Sequence, residues 1–214
     1  FNQEYINTTF CLEHIDKKVK IINHPRAIRE VPEKLFSIKL IKYLPQTLIS
    51  QDLKKINFFF KKYRKIVIKP IEGYGGNDVI LLNKFKLKII SKYLKKYKNL
   101  IFQKFLKKVS EGDRRVFIIN GKVMGSITRV PKKGSILSNM SKGAFAKVDK
   151  LTKNELIISK NVAKILKKQN IYFAGIDFIQ GKLIGDINVT SPTGLATYYQ
   201  LTGVNLAKYF WDNI

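Results

Sequence analysis

Asp177, Asp186 and Asn188 offer oxygen donors of the kind that hold a cation. They lie in FAGIDFIQGKLIGDINVTSPTG, residues 173–194. The run predicts a β-hairpin turning at Gly181-Lys182, a two-residue turn of the Gly-X kind. In that register Ile179 faces Ile184, Gln180 faces Leu183, Asp177 faces Asp186 and Gly175 faces Asn188. Side chains alternate along a strand, so Asp177, Asp186 and Asn188 share a face. Directly opposed carboxylates repel. A divalent cation between them removes the conflict, and oxygen donors select Mg²⁺ or Mn²⁺. The same pattern also describes a plain hairpin with one wet face, and spacing leaves both readings open.

A second candidate is IVIKPIEGYGGNDVILL, residues 66–82. An apolar strand ends near Lys69, and Gly73, Gly75 and Gly76 precede another strand. Glycines allow positive φ and close backbone approach, so their N–H groups could cradle phosphate. No Gly-Lys-Ser/Thr closes the run, which excludes the P-loop motif. A turn without a ligand fits equally well. A third candidate is the arginine pair Arg115 and Arg129, on strands joined by the hairpin turn Asn120-Gly121. Guanidinium forks suit phosphate and carboxylate oxygens, although two surface arginines would also be ordinary in so basic a chain.

The elements that hold these residues alternate between helix and strand. Residues 5–15 read as a short helix, 19–22 as a brief strand, and Pro25 as a first helical position. A helix over 35–44 places Leu35, Ile38, Ile41 and Leu44 at helical spacing until Pro45 stops it. Residues 47–49 suggest a strand, 51–64 an amphipathic helix with Asp52 in its first turn, 84–97 a lysine-rich helix and 99–103 a strand. Residues 131–150 read as an aperiodic loop. Thr152 and Glu155 form a capping box for a helix to Lys168, whose Leu156, Ile157, Val162, Ala163, Ile165 and Leu166 would cover a sheet. A closing helix spans 204–211.

The 214 residues can bury a sizeable core. Lys and Arg outnumber Asp and Glu by 41 to 15, a net charge of +26, which would attract nucleic acid, anionic lipid or a nucleotide. The lysines are scattered, so solvated faces explain most of them. Cys11 alone excludes an internal disulfide or a thiolate cluster, and a buried apolar role is expected for it. No apolar run reaches membrane-spanning length and no signal peptide opens the chain, so a cytoplasmic protein is expected, without membrane or nucleic-acid partners. The start at Phe1 suggests a piece of a longer protein.

Taken together these runs resemble the ATP-grasp ligases, most closely the bacterial glutathione synthetases. DINVTSPTG from 186 beside GIDFI from 175 carries the resemblance. INHPRAIR from 22, EKLF from 33, IVIKPIEGYGG from 66 and GDRRV from 112 support it in the family's order. It implies an α+β ATP-grasp fold: two α+β lobes with ATP bound between them. Residues 1–32 would be a remnant of an N-terminal domain and linker, 33–104 a lid lobe, and 105–214 a catalytic lobe with the metal site.

Residue by residue, Lys34 and Lys69 match lysines on the nucleotide phosphates, and Gly73, Gly75 and Gly76 the loop that closes over them. Gln103, Lys104, Phe105 and Leu106 match the segment beside adenine, and Asp113 a position near the ribose. Arg115 and Arg129 match catalytic arginines near the transferring phosphate. Asn139, Thr190 and Ser191 match substrate-binding positions, and Asp177, Asp186 and Asn188 the Mg²⁺ or Mn²⁺ ligands.

The implied reaction takes ATP, γ-glutamylcysteine and glycine to glutathione, ADP and phosphate through an acyl phosphate. A homo-oligomer is compatible with the resemblance. Another ATP-grasp carboxylate–amine ligase and an ATP-binding homologue without turnover are alternatives, as is a basic nucleic-acid-binding protein. The chain departs from the family in having Asp186 where Glu is usual, a hairpin one residue longer, and Gly143-Ala144-Phe145 in place of a Gly-Gly-Arg run. It also lacks an arginine just before Asn139.

Overall fold

The computed structural model describes residues 3–73, 75–76, 78–135, 138, 140 and 143–214. Its helices are α1 (Gln3–Leu12), α2 (Pro25–Glu30), α3 (Leu53–Tyr63), α4 (Leu87–Tyr97), α5 (Lys153–Lys168), α6 (Leu195–Thr202) and α7 (Leu206–Asp212). Its strands are β1 (Thr47–Ile49), β2 (Ile66–Pro70), β3 (Ile80–Leu82), β4 (Leu100–Lys104), β5 (Asp113–Ile119), β6 (Lys122–Val130), β7 (Phe145–Lys147), β8 (Phe173–Ile179) and β9 (Lys182–Asn188). The chain divides into two compact units, one of Leu44–Lys107 and one of Phe1–Tyr43 with Lys108–Ile214.

The smaller unit is an antiparallel sheet ordered β1-β4-β2-β3. Alternation on β2 and β4 turns Ile66, Ile68, Leu100 and Phe102 to one face, where they pack with Ile56 and Phe60 of α3 and Ile90 of α4. Burying each such side chain contributes roughly 1.5–3 kcal/mol. Asp52 is the N-cap of α3 rather than a first-turn residue, accepting from the backbone N–H of Lys54 (2.7 Å) and Lys55 (3.3 Å). Lys69 and Gln103 point to the opposite sheet face, since Ile68 pairs with Phe102 and Val67 with Gln103.

The larger unit carries a sheet ordered β7-β6-β5-β8-β9, antiparallel throughout. Helix α5 lies on one face, where Arg114 of β5 pairs with Glu155. Glu155 closes the expected capping box with Thr152. The other face begins with an apolar cluster of Phe117, Ile119, Ile127 and Leu206 under α6 and α7. It continues along the strands into a row of charged side chains.

Several sequence expectations change. Residues 19–22 form no strand; a four-residue run is not stable without a neighbour to pair with. Residues 36–43 are a 3-10 helix broken at Leu40, and it buries Phe36, Ser37 and Leu40 while Leu35, Ile38 and Ile41 are exposed. On α5, Leu156 and Ile157 are exposed and Ile158 and Ser159 take the buried positions. β7 lies inside the stretch read as a loop, and α6 precedes the closing helix. Cys11 is exposed. Residues 33–43 belong to the larger unit rather than to a lobe over 33–104, because the backbone N–H of Ile187 in β9 donates to the Glu33 carbonyl at 3.1 Å.

Candidate active site

The hairpin of β8 and β9 turns at Gln180-Gly181, with φ of 52° and 70°, not at Gly181-Lys182. Two consecutive positive φ values match the twist of paired strands, and this sets Ile179 opposite Lys182 and Phe178 opposite Leu183. Farther along, Ile176 faces Ile187 and Gly175 faces Asn188, as the sequence suggested. Reconciling the two registers leaves Ile184, Gly185 and Asp186 opposite Asp177 alone, a bulge in which Gly185 takes φ 91°. The direct Asp177–Asp186 ladder pair is therefore not formed. Two extra residues preserve the alternation, however, so Asp177, Asp186 and Asn188 still share a face.

A second bulge brings in the arginines. Next to the Asn120-Gly121 turn, Ile119 faces Lys122 and Ile118 faces Val123. Phe117 then faces Gly125, so Met124 is an extra residue on β6. Without it, alternation would send Arg129 to the face away from Arg115. With it, Arg115, Arg129, Asp113 and Asp177 all lie on one face.

These four side chains are buried and interlocked. The Arg115 guanidinium donates to both Asp177 oxygens, Nε to Oδ1 at 2.5 Å and Nη2 to Oδ2 at 2.7 Å. Arg129 grips Asp113 the same way, at 2.6 and 2.8 Å, and its Nη2 lies 2.9 Å from Asp177 Oδ2. Arg115 Nη1 donates to the Thr193 carbonyl at 3.4 Å. Such forked, charge-assisted bonds fix the planes of both partners. Burial and the Asp177 charge push the Asp113 carboxyl up to about 7 against the pull of Arg129. Burial also opposes ionisation of Asp177, but Arg115 and Arg129 outweigh it and hold that carboxyl at about 2. One acid is thus firmly anionic and the other sits near its titration point at neutral pH.

Asp186 Oδ1 is buried without a hydrogen-bond partner among the described residues. Asn188 is engaged at both ends: Oδ1 accepts from the Ser191 N–H at 3.0 Å and Nδ2 donates to the Ser191 carbonyl at 3.3 Å. Thr190 and Ser191 are exposed. Lys34 is buried on the same unit. Glu33, beside it, carries a carboxyl raised by burial and then by Asp186. Glu33 is not among the residues expected from the sequence, although the acid next to Lys34 in EKLF is the signal that points to it.

In the smaller unit, Lys69 and Gln103 share a sheet face, and Gln103 Nε2 donates to Thr47 Oγ1 at 3.0 Å. Lys104 is exposed, Phe105 and Leu106 are half-buried, and Lys65 Nζ lies 4.2 Å from the centre of the Phe105 ring. Gly75 and Gly76 have φ of 63° and 71°, and the Gly73 N–H donates to the Pro70 carbonyl at 3.3 Å. Asn139 lies outside the described residues. Asp113, expected near the ribose, has both oxygens on Arg129 here.

The sequence matches a family described as prokaryotic glutathione synthetase, ATP-grasp domain, over residues 33–203. The chain belongs to the prokaryotic glutathione synthetase family. The glutathione synthetase of Bradyrhizobium diazoefficiens is 36% identical over 218 residues, covering 100% of this chain and 69% of that protein. That of Buchnera aphidicola subsp. Baizongia pistaciae is 36% identical over 220 residues, covering 100% of this chain and 68% of that protein. Among solved structures, a Chryseobacterium gregarium RiPP-associated ATP-grasp ligase in complex with ADP superposes with a TM-score of 0.71 at 16% identity, covering 97% of this chain and 67% of that one. D-alanine–D-alanine ligase from Bacillus anthracis, complexed with ATP, gives 0.59 at 15% identity, covering 89% and 67%. The fold is an α+β ATP-grasp fold, and the matched glutathione synthetase domain includes every candidate from Lys34 to Ser191.

The donor set suits a hard cation in one respect and resists it in another. Asp186 offers an unsatisfied buried carboxylate oxygen on the face shared with Asp177 and Asn188. Both Asp177 oxygens, by contrast, are already held by guanidinium. Among the described residues, no group of three or more His, Cys, Asp and Glu side chains is arranged to hold a metal. A site here would need Asn188 as a ligand.

Proposed function

We propose that this chain is the catalytic part of an ATP-dependent carboxylate–amine ligase that joins glycine to γ-glutamylcysteine. The observation that carries the reading is the pair of buried guanidinium forks on the sheet face that also carries Asp186, whose Oδ1 is buried without a hydrogen-bond partner among the described residues, inside the segment matched to the glutathione synthetase family. In the reaction a γ-glutamylcysteine carboxylate oxygen attacks the γ-phosphorus of ATP and ADP leaves. The glycine amine then attacks the acyl carbon, the phosphate departs and the amine loses a proton.

The side chains answer the needs of those steps. A phosphoryl group in transfer spreads charge over its oxygens, and fixed cationic donors stabilise it without reorganising. Arg115 and Arg129 are such donors, kept charged and oriented by Asp177 and Asp113. Lys34, Lys69 and the backbone of Gly73, Gly75 and Gly76 bind the phosphates of ATP. Gln103 to Leu106 hold the adenine, and Asn139, Thr190 and Ser191 the acceptor substrates. Asp177, Asp186 and Asn188 would hold Mg²⁺ or Mn²⁺, which supplies charge neutralisation for the phosphate oxygens. We further propose a cytoplasmic protein acting on small molecules, without nucleic-acid or membrane partners and compatible with a homo-oligomer. Among the described residues no helix is long and apolar enough to cross a membrane.

The test is phosphate release and glutathione formation with ATP, Mg²⁺, γ-glutamylcysteine and glycine. Both products should require every component. Phosphate release that ignores glycine, or turnover only with another carboxylate, overturns the substrate assignment. Tight nucleotide binding without product would leave an ATP-binding homologue without turnover.

A further inference from the structure

We propose that Gly175 is a positioning residue: its missing side chain keeps open a slot on β8 in which the Arg115 stem lies, and this holds the guanidinium on Asp177. Phe117 of β5 stands directly between Gly125 of β6 and Gly175 of β8, so one large side chain is flanked by two positions without Cβ. The two gaps are filled differently. Over Gly125 lies the Tyr198 ring, whose nearest atom would meet an added Cβ at 2.6 Å. Over Gly175 lies Arg115, with Cδ at 2.8 Å, Nε at 3.2 Å and Cζ at 3.4 Å from such a Cβ. The first glycine serves packing. The second serves a side chain with a charged head in the site.

Two features separate this from an ordinary backbone requirement. The φ of Gly175 lies outside the left-handed region, so an alanine there meets no conformational strain. The three nearest atoms to the added methyl all belong to Arg115, none to backbone. An arginine stem swings aside more easily than a central strand shifts. Gly175→Ala therefore displaces Arg115 and leaves the sheet in place. Arg115 Nε is both the atom that donates to Asp177 Oδ1 and one of the atoms displaced. Asp177 would keep only its contact with Arg129.

The experiment is a double-mutant cycle of Gly175→Ala and Arg115→Ala, read as kcat, KM for glycine and melting temperature, with a crystal structure of Gly175→Ala. A displacement of about 1 Å in a catalytic group costs up to about 10²-fold in rate. We expect kcat to fall by that order in Gly175→Ala with KM for glycine unchanged, and the structure to show Arg115 off Asp177. In the Arg115→Ala background Gly175→Ala should add no further loss of rate or melting temperature, because nothing remains to displace.

The proposal is overturned by an equal loss of melting temperature in both backgrounds, by unchanged kcat in Gly175→Ala, or by a structure in which Arg115 still forks onto Asp177. Should Gly175→Ala fail to fold, the double variant decides: recovery of folding supports the slot, and continued failure assigns Gly175 to the framework. The kinetic arm rests on the ligase reading. The melting and structural arms do not, so an inactive protein would remove that reading while still deciding the role of Gly175.

Discussion

Arg129 Nη2 lies 2.9 Å from Asp177 Oδ2 although their strands, β6 and β8, are separated by β5. The arginine reaches over the intervening strand, where Arg115 grips the same carboxylate oxygen from β5. Asp177 is therefore the point where three strands are tied by charge. Removing one member of a buried ion network typically costs about 3–5 kcal/mol, because the remaining charges lose compensation. At roughly 2–4 °C per kcal/mol for a chain of this size, Asp177→Asn should melt about 6–20 °C lower, besides weakening Mg²⁺–ATP binding. Differential scanning fluorimetry showing less than about 2 °C of change would contradict the network.

Asp113 gives a pH signature of its own. Its folded carboxyl, at about 7, lies above the unfolded value of about 3.9. The folded state therefore binds the extra proton between those values. Its contribution to stability is full below about pH 4 and is lost as pH rises through 7, by on the order of 2–4 kcal/mol. Asp177, at about 2, acts oppositely: its contribution is present above about pH 4 and is lost as pH falls toward 2. Urea midpoints should therefore decline from pH 5 to 8 in the wild type, and more weakly in Asp113→Asn. Parallel profiles for the two proteins would exclude Asp113 as the source.

Asp186 should behave unlike Asp177. One of its oxygens is buried without a hydrogen-bond partner among the described residues, and its charge raises the Glu33 carboxyl, an effect second to burial. An unpaired buried oxygen costs folding free energy, and a bound cation would offset that cost. Asp186→Asn should leave the metal-free melting temperature unchanged or raise it by about 1–4 °C, and abolish the stabilisation given by Mg²⁺ with ATP. A variant that melts well below the wild type, or that keeps its full Mg²⁺ response, would remove Asp186 from the metal site.

What could be read in the sequence follows from which rules are local. Alternation and the capping box are local, so the face shared by Asp177, Asp186 and Asn188, and the start of α5 at Thr152, were legible. The bulges were not. An extra residue at Met124 is invisible to a count from the Asn120-Gly121 turn, yet it decides which face Arg129 takes. The turn at Gln180-Gly181 was missed because Gly181-Lys182 satisfies a competing turn rule equally well. Helix α6 escaped because Thr197, Tyr198 and Tyr199 are weak helix formers, and packing of the Tyr198 ring against Phe117 supplies the rest. That Arg129 sits opposite Asp113 in the ladder depends on the same bulge at Met124 and is equally hidden from the sequence.

Asn23 is another residue whose weight is visible only in three dimensions. Its Oδ1 accepts from the N–H groups of Tyr172 (2.7 Å) and Phe173 (2.8 Å), and its Nδ2 donates to the carbonyls of Phe173 and Val189, both at 2.7 Å. One buried amide thus pins the start of β8 to the residue after β9, just behind the site hairpin. Asn23→Ala leaves those backbone groups short of partners, and each buried unsatisfied group costs about 1–3 kcal/mol before relaxation. A loss of roughly 2–4 kcal/mol is expected, read from urea unfolding. Asn23→Asp is the sharper variant. Its shape is preserved and it still accepts from the two N–H groups, but it presents a carboxylate oxygen to two carbonyls. It should be at least as damaging as alanine at pH 8 and recover partly at pH 4, where a protonated acid can donate again. A near-wild-type Asn23→Asp at pH 8 would mean that the amide donor is not what fastens the hairpin.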